Sequence, residues 1–319
     1  MAHLVEQMAY VGQTPWHGLG NQLASRQPLE VWTEQAGLDW RIKETPVRFI
    51  DGDKGHLGEI LSFDDQKVLY RSDTQAPLSV VSQRYQVVQP REILEFYRDL
   101  TEASGFELET AGSLKGGRKI WALARTGQSG VLKGKDQTNA YVLLATACDG
   151  TMATTAQFTS VRVVCNNTLA VALNGQTQAV KVSHRSVFDA AAVKQQLGIT
   201  VSSWDDFMCR LKALSERKVT ARETQKFLTT VFQPHPAQQY SKANERAMRK
   251  VLSLFDGNGR GADLPSAKKT AYGLLNAVTE FVDHEKRARS NDYRLDSAWF
   301  GQGAALKQRA LDHAVALVA

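Results

Sequence analysis

The chain is poor in the groups that announce the commoner kinds of site. Among its 319 residues are three cysteines, Cys148, Cys165 and Cys209, with no CxxC pair. That excludes a zinc ribbon and a disulfide-stapled secreted scaffold. The seven histidines are scattered, with no HExxH and no close pair. Zinc wants convergent ligands from recognisable pairs, so neither a metal nor any other cofactor is expected. No apolar run is long enough to span a bilayer, and Met1-Ala-His-Leu-Val-Glu6 lacks a basic stretch followed by an apolar core. No membrane segment and no secretory signal are therefore expected, and the expected setting is a bacterial cytoplasm. What remains, 43% hydrophobic and 23% charged, is ordinary globular composition with length for about two domains.

Acid is the other scarcity, and it is local. Residues 110–188 hold nine Lys and Arg against only two acids, Asp136 and Asp149, within a chain of net charge +6. Residues 1–109 hold 10 Lys and Arg against 17 acids, and residues 189–319 hold 20 against 14. Clustered cations attract polyanions at long range. The plainer alternative is that the basic middle pairs with the acidic first third of the same chain.

Periodicity suggests an α+β fold. A helix is expected from Pro28 to about Leu38, with Leu29, Trp32 and Ala36 on one stripe, then a strand from Trp40 to Ile50. Short strands follow at 67–71 and 78–81, and Pro90 opens a helix whose inner face is Ile93, Leu94, Tyr97 and Leu100. The middle reads as antiparallel hairpins: 106–113 with 118–126 around Leu114-Lys-Gly-Gly117, and 139–148 with 151–159 around Asp149-Gly150. In the last of these strands Met152, Ala156 and Phe158 share a face expected to pack, leaving a wet face of Thr151, Thr155, Gln157 and Thr159. Ala179–Val182 reads as a returning strand. From about Ser186 the period becomes helical, with helices expected at 203–214, 220–232, 241–255, 266–289 and 303–318. The expected division is an α+β domain over 1–185 carrying basic β-hairpins and an all-helical domain over 186–319.

Few patterns suggest catalysis. Ser266-Ala-Lys-Lys269 fits S-x-x-K, and Asp283-His284 could be half of an acid–base pair, but neither comes with a third partner. Cys165 follows a β-branched run and reads as core. Gly257-Asn-Gly-Arg-Gly261 leads toward a helix expected to start near Ser266, and such an N-terminus can hold phosphate; a plain connector explains the glycines as well. The best candidates are the cations Lys115, Arg118, Lys119, Arg125, Lys133 and Lys135, which fall in 21 residues without an acid. Alternation puts Lys119, Trp121, Leu123 and Arg125 on one face, a cation–aromatic–cation row suited to single-stranded nucleic acid. The competing reading puts Trp121 and Leu123 in the core. Arg162, Arg260, Lys268 and Lys269 complete the candidate set.

Four strings carry a resemblance: Thr14-Pro-Trp-His-Gly-Leu-Gly20, Arg162-Val-Val-Cys-Asn-Asn-Thr-Leu169, Asn276-Ala-Val-Thr-Glu-Phe-Val-Asp-His284 and Arg294-Leu-Asp-Ser-Ala-Trp-Phe-Gly301. With them the chain resembles the phage/plasmid-like proteins, an uncharacterised-domain family of phages, prophages and plasmids. The resemblance implies a mobile-element origin and transfers no catalytic residue. In architecture alone, a basic hairpin sheet followed by helices is similar to the single-strand-annealing recombination proteins, which assemble into rings or filaments. The expectation is a non-enzymatic, homo-oligomeric protein that binds and anneals single-stranded DNA in recombination. The alternative is a protein-interaction factor of a mobile element, acting in counter-defence or host takeover.

Overall fold

A computed structural model describes residues 7–12, 20–52, 58–98, 100–101, 105–164, 167–173, 176–177, 179–201, 204–233 and 242–318, of which 172–173, 176–177 and 198–201 as backbone only. The chain forms two units. Met1–Ala124, Leu143–Ala156 and Ala179–Gln195 make the first; Arg125–Val142, Gln157–Gln178 and Gln196–Ala319 make the second. The single cut expected after residue 185 is thus replaced by an interleaved one. The reason lies in strand length: β7 (Lys119–Leu132), β8 (Asp136–Ala147) and β9 (Thr154–Arg162) each run from one unit into the other.

In the first unit, β1 (Met8–Val11) pairs in parallel with β2 (Asn21–Leu23) and antiparallel with β6 (Glu107–Leu114). The helix expected after Pro28 is α1 (Leu29–Gln35), and Leu29, Trp32 and Ala36 are buried as its stripe requires. A second sheet has the order β3 (Ile42–Ile50), β4 (Ile60–Arg71), β5 (Pro77–Ser82). Helix α2 (Pro90–Glu95) starts on a capping box, in which the Gln89 N–H donates to Glu92 Oε2 at 2.6 Å. It ends near Tyr97, whose hydroxyl donates to the Ala122 carbonyl at 2.8 Å deep in the core.

The main sheet has the order β10–β9–β8–β7–β6–β1–β2, where β10 is Asn167–Ala170, and β13 (Ala179–Val182) pairs with β9. The hairpins lie where the glycines predict: Gly116 and Gly117 turn β6 into β7, and Gly150 lies in the β8–β9 turn, all with positive φ. The expected wet face of β9 is corrected in part: Thr155 and Thr159 are buried like Ala156 and Phe158, while Thr151 is exposed and Gln157 half-buried. Threonine disguises a buried strand here, since its hydroxyl is satisfied internally: Thr159 Oγ1 donates to the Leu169 carbonyl at 3.0 Å. Two short strands, β11 (Ala172–Leu173) and β12 (Gln176–Thr177), pair with each other.

The rest is helical: α3 (Ala190–Val201), α4 (Trp204–Glu216), α5 (Ala221–Phe232), α6 (Lys242–Ser253), α7 (Ala271–Glu280), α8 (Asn291–Phe300) and α9 (Gln302–Val315). Phe207, Leu211 and Leu214 form the buried stripe of α4 as expected, while its expected Ser203 cap lies outside the described residues. The helix expected from Ser266 starts five residues later. Thr270 caps α7 by accepting from the Gly273 N–H at 3.0 Å, and a Cβ on Gly273 would lie 1.9 Å from the Ala267 carbonyl oxygen. Both α6 and α7 run on into one π-helical turn, Leu254–Asn258 and Phe281–Glu285. Among the described residues no helix is long and apolar enough to cross a membrane.

Candidate nucleic-acid interface

Burial divides the eleven candidate residues. Lys115, Arg118, Lys119 and Trp121 belong to the first unit, and Arg125, Lys133, Lys135, Arg162, Arg260, Lys268 and Lys269 to the second. Trp121 is 2% exposed, and every residue from Lys119 to Ala124 is buried. The cation–aromatic row is therefore corrected: β7 is covered on both faces there, and Trp121 is core. Arg118, Arg125, Lys133, Lys135, Arg260, Lys268 and Lys269 are exposed, and Lys115 is half-buried. Among the described residues, five acids of the first third pair with cations of that same third, in Arg26–Glu107, Lys67–Glu44, Arg71–Asp73, Arg91–Glu95 and Arg98–Glu30.

Arg162 has a different role from the one its charge suggests. It is 4% exposed and forms a two-pronged ion pair with Asp136, Nε to Oδ1 at 2.8 Å and Nη2 to Oδ2 at 2.7 Å. Ser266 Oγ donates to the same Oδ2 at 2.6 Å, so the serine of the S-x-x-K string serves a buried carboxylate. Arg162 also donates to the carbonyls of Arg260 (3.3 Å) and Gly261 (3.1 Å), and the Tyr272 ring lies 5.3 Å from its guanidinium. The Gly257–Gly261 loop is thereby tied to the interior. Its Arg260 N–H donates to both carboxylate oxygens of Glu280, at 3.1 and 3.0 Å, and burial raises the Glu280 pKa from its ordinary value. Thr270 caps α7, the Ala271 N–H donates to the Arg217 carbonyl and the first turn is buried, so the Ala271 and Gly273 N–H groups are already used within the fold.

The same unit holds a second buried cluster. Asp283, in the second π turn, accepts from the Thr168 N–H at 2.8 Å and from Lys307 Nζ at 2.8 Å, and Lys307 also donates to Thr168 Oγ1 at 2.7 Å. Burial lowers the Lys307 pKa against the opposing pull of Asp283. Asn167 donates to Thr279 Oγ1 at 3.0 Å, and His284 Nε2 lies 3.2 Å from Asn167 Oδ1. Arg294 Nη1 donates to the His284 carbonyl at 2.7 Å. Three of the four resemblance strings thus meet in one polar interior, while residues 14–19 and Cys165 lie outside the described residues. Each charge there has a partner, and the cavity beside Arg162, Asn167 and Tyr272 is about 20 Å³, room for one water. Asp283 bonds to Thr168 and Lys307, and His284 lies against Asn167.

The exposed cations make a different surface. Lys242, Arg246, Arg249 and Lys250 are spaced i, i+4, i+7 and i+8 on α6, so they share one face, while Met248 and Val251 are buried on the other. All four are exposed. Lys250 Nζ lies 3.1 Å from Glu285 Oε2, which brings the end of this stripe to the segment Lys286-Arg287-Ala288-Arg289. There Arg289 stands over the ring of Tyr293, 6.0 Å from its centroid, and Tyr293 is 38% exposed. The second unit as a whole holds 23 Lys and Arg against 14 Asp and Glu, the first 16 against 19. The spacing of the α6 stripe is present in the sequence, but Glu245 and the other acids of the helical region keep its local charge below that of the acid-free hairpins. Among the described residues no group of three His, Cys, Asp or Glu is placed to hold a metal ion.

A family model for a domain of unknown function, DUF932, matches residues 77–299, more than half of the chain. The chain belongs to the DUF932 family. Its DUF932 segment runs from β5 almost to the end of α8, so it includes Asp136, Arg162, Asn167, Asp283 and the whole α6 stripe. It leaves out β1–β4 and Lys307. No curated protein and no solved structure matches the chain.

Proposed function

We propose that the protein is a non-enzymatic nucleic-acid-binding protein that holds single-stranded DNA by its phosphates on the second unit. The observation that carries this reading is the α6 face of Lys242, Arg246, Arg249 and Lys250, continued by Arg287 and Arg289 beside the exposed ring of Tyr293. Cations on one helical face can follow a phosphate backbone, and an exposed aromatic ring offers a base a surface to stack on. Nothing in this arrangement is shaped to read base edges, so binding is without strong sequence preference. Annealing during recombination of a mobile element is the setting that the resemblance suggests.

The test is fluorescence anisotropy with a labelled oligothymidylate over a salt series. Counterion release gives a log–log slope of about −0.7 per phosphate contact, or roughly 300-fold weakening from 50 to 200 mM salt for six contacts. Arg246→Glu/Arg249→Glu/Lys250→Glu should abolish binding and leave the melting temperature within about 2 °C, because exposed charges add little to stability. Absence of binding at low salt, or unchanged binding by the triple variant, overturns the proposal and favours a protein-interaction role.

A further inference from the structure

The β3–β4 hairpin is longer than the sheet that supports it. Among the described residues, β5 pairs with Gln66–Tyr70 of β4, and the ribbon beyond, from Val47–Ile50 to Ile60–Phe63, has two strands and no third. A two-stranded hairpin is marginal in water by itself. This one nonetheless carries apolar residues on both faces. Val47 pairs with Phe63 and Phe49 with Leu61 on one face, and Ile50 with Ile60 on the other. Ile50 and Ile60 are 66% and 63% exposed, and Phe49, Leu61 and Phe63 are exposed as well. Around these lie Asp51, Glu59, Asp64 and Asp65, against Arg48 as the one described cation between residues 46 and 65. A bulge between Pro46 and Val47 sets off the Asp64–Asp65 segment from the ladder. An apolar, acidic ribbon of this kind calls for a cationic, apolar seat.

The second unit of the same chain offers one. At the turn end of the β7–β8 hairpin, Val131 is 55% exposed, and Lys133 and Lys135 stand exposed beside it. Val163, whose N–H donates to the Gln137 carbonyl at 2.9 Å, adds exposed apolar surface next to the start of β8, and Val164 extends it. We propose that the β3–β4 ribbon is an association arm, and that it seats on the β7–β8 turn of a second copy of this chain. Charge selects the occupant: the exposed Asp64 and Asp65 stand beside the apolar ribbon, and two lysines flank the apolar seat. The contact joins two different surfaces, so it repeats head to tail and closes into a ring or continues as a filament. It does not rest on nucleic-acid binding, because it uses none of the α6 cations and needs no nucleic acid.

Sedimentation velocity on the full chain, without nucleic acid, tests this. The wild type should sediment as species heavier than a monomer, growing with concentration. Phe49→Ser/Phe63→Ser should be monomeric with an unchanged melt, since both rings are exposed. Asp64→Lys/Asp65→Lys should be monomeric, and so should Lys133→Asp/Lys135→Asp. The chain carrying all four charge swaps should regain the wild-type distribution. A monomeric wild type at about 100 µM, or a Phe49→Ser/Phe63→Ser protein that still assembles, overturns the proposal. Assembly that survives Lys133→Asp/Lys135→Asp also overturns it, in favour of ribbons pairing with each other.

Discussion

Arg162 and Arg249 lie in one unit and carry the same charge, yet their surroundings have nothing in common. Arg162 is enclosed between Asp136, two backbone carbonyls and the Tyr272 ring. Arg249 stands on the open face of α6 with Lys242, Arg246 and Lys250 as neighbours along the stripe. Taking an ion out of water costs several kcal/mol, so a buried arginine is kept only where every donor finds an acceptor in good geometry. A row of exposed cations has the opposite economy: it adds almost nothing to folding and keeps its charge available. Charge counted along a sequence adds these two kinds together. Only burial separates them.

The largest effect should come from breaking the enclosed side of that comparison. Arg162→Ala leaves Asp136 buried, with Ser266 as its one remaining side-chain donor among the bonds described above. It also leaves the carbonyls of Arg260 and Gly261 without this donor. Removing one partner of such a pair costs about 3–5 kcal/mol, a large part of the stability of any domain. Chemical denaturation should show a strongly lowered midpoint or no cooperative transition. A loss below about 1 kcal/mol would mean that water already reaches the pair and that the interior is open enough for a ligand.

Much of this was legible beforehand, and the reasons differ by element. Helices α1, α4 and α5 follow from apolar spacing, and the capping box of α5 (Thr220 with Glu223) is written in the chain. The β6–β7 and β8–β9 turns follow from glycines that accept positive φ. The lengths of β4 and β7 did not follow. Ile60–Gln66 and Gly127–Leu132 extend beyond the segments that pattern alone suggests, because polar residues and glycine mask the strand signal. The interleaving of the two units depends on those long strands. In the candidate site, the burial of Trp121 was legible in the unbroken apolar run Ile120–Ala124, since a strand covered on both faces loses the alternation of a one-sided strand. The Asp136–Arg162–Ser266 group could not be seen at all: Ser266 is 130 residues from Asp136 in the chain.

Glu280 gives a smaller effect that depends on pH. Burial raises its pKa from the ordinary 4.5, with Arg260 and Arg162 opposing the shift. The folded state therefore keeps a proton that the unfolded chain has released. Stability linked to this group is present in full below pH 4.5 and is lost as pH rises through the folded value. Glu280→Gln keeps an oxygen acceptor for the Arg260 N–H and removes the titration. Relative to the wild type, the variant should gain stability as pH rises above 4.5. Urea titrations at a series of pH values measure that difference. A stability difference that does not change with pH would mean the carboxylate is ionised without penalty.

The smallest effect on folding should come from the open side of the comparison, and its smallness is the point. Arg249→Ala removes an exposed cation whose helix is anchored on its opposite face by Met248 and Val251. Alanine has the better helix propensity, and exposed charge pairs are worth about 0–1 kcal/mol, so stability should move by no more than about 0.5 kcal/mol. Two arginines of one unit would then differ in folding cost by a factor of roughly six or more. If α6 is the phosphate-binding face, the same substitution should reduce the salt slope of oligothymidylate binding by about 0.7, the amount due to one lost contact. A melt that falls as far for Arg249→Ala as for Arg162→Ala would show that the α6 stripe is structural after all. An unchanged melt with an unchanged salt slope would keep the stripe exposed and move the phosphates elsewhere, to Arg260, Lys268 and Lys269.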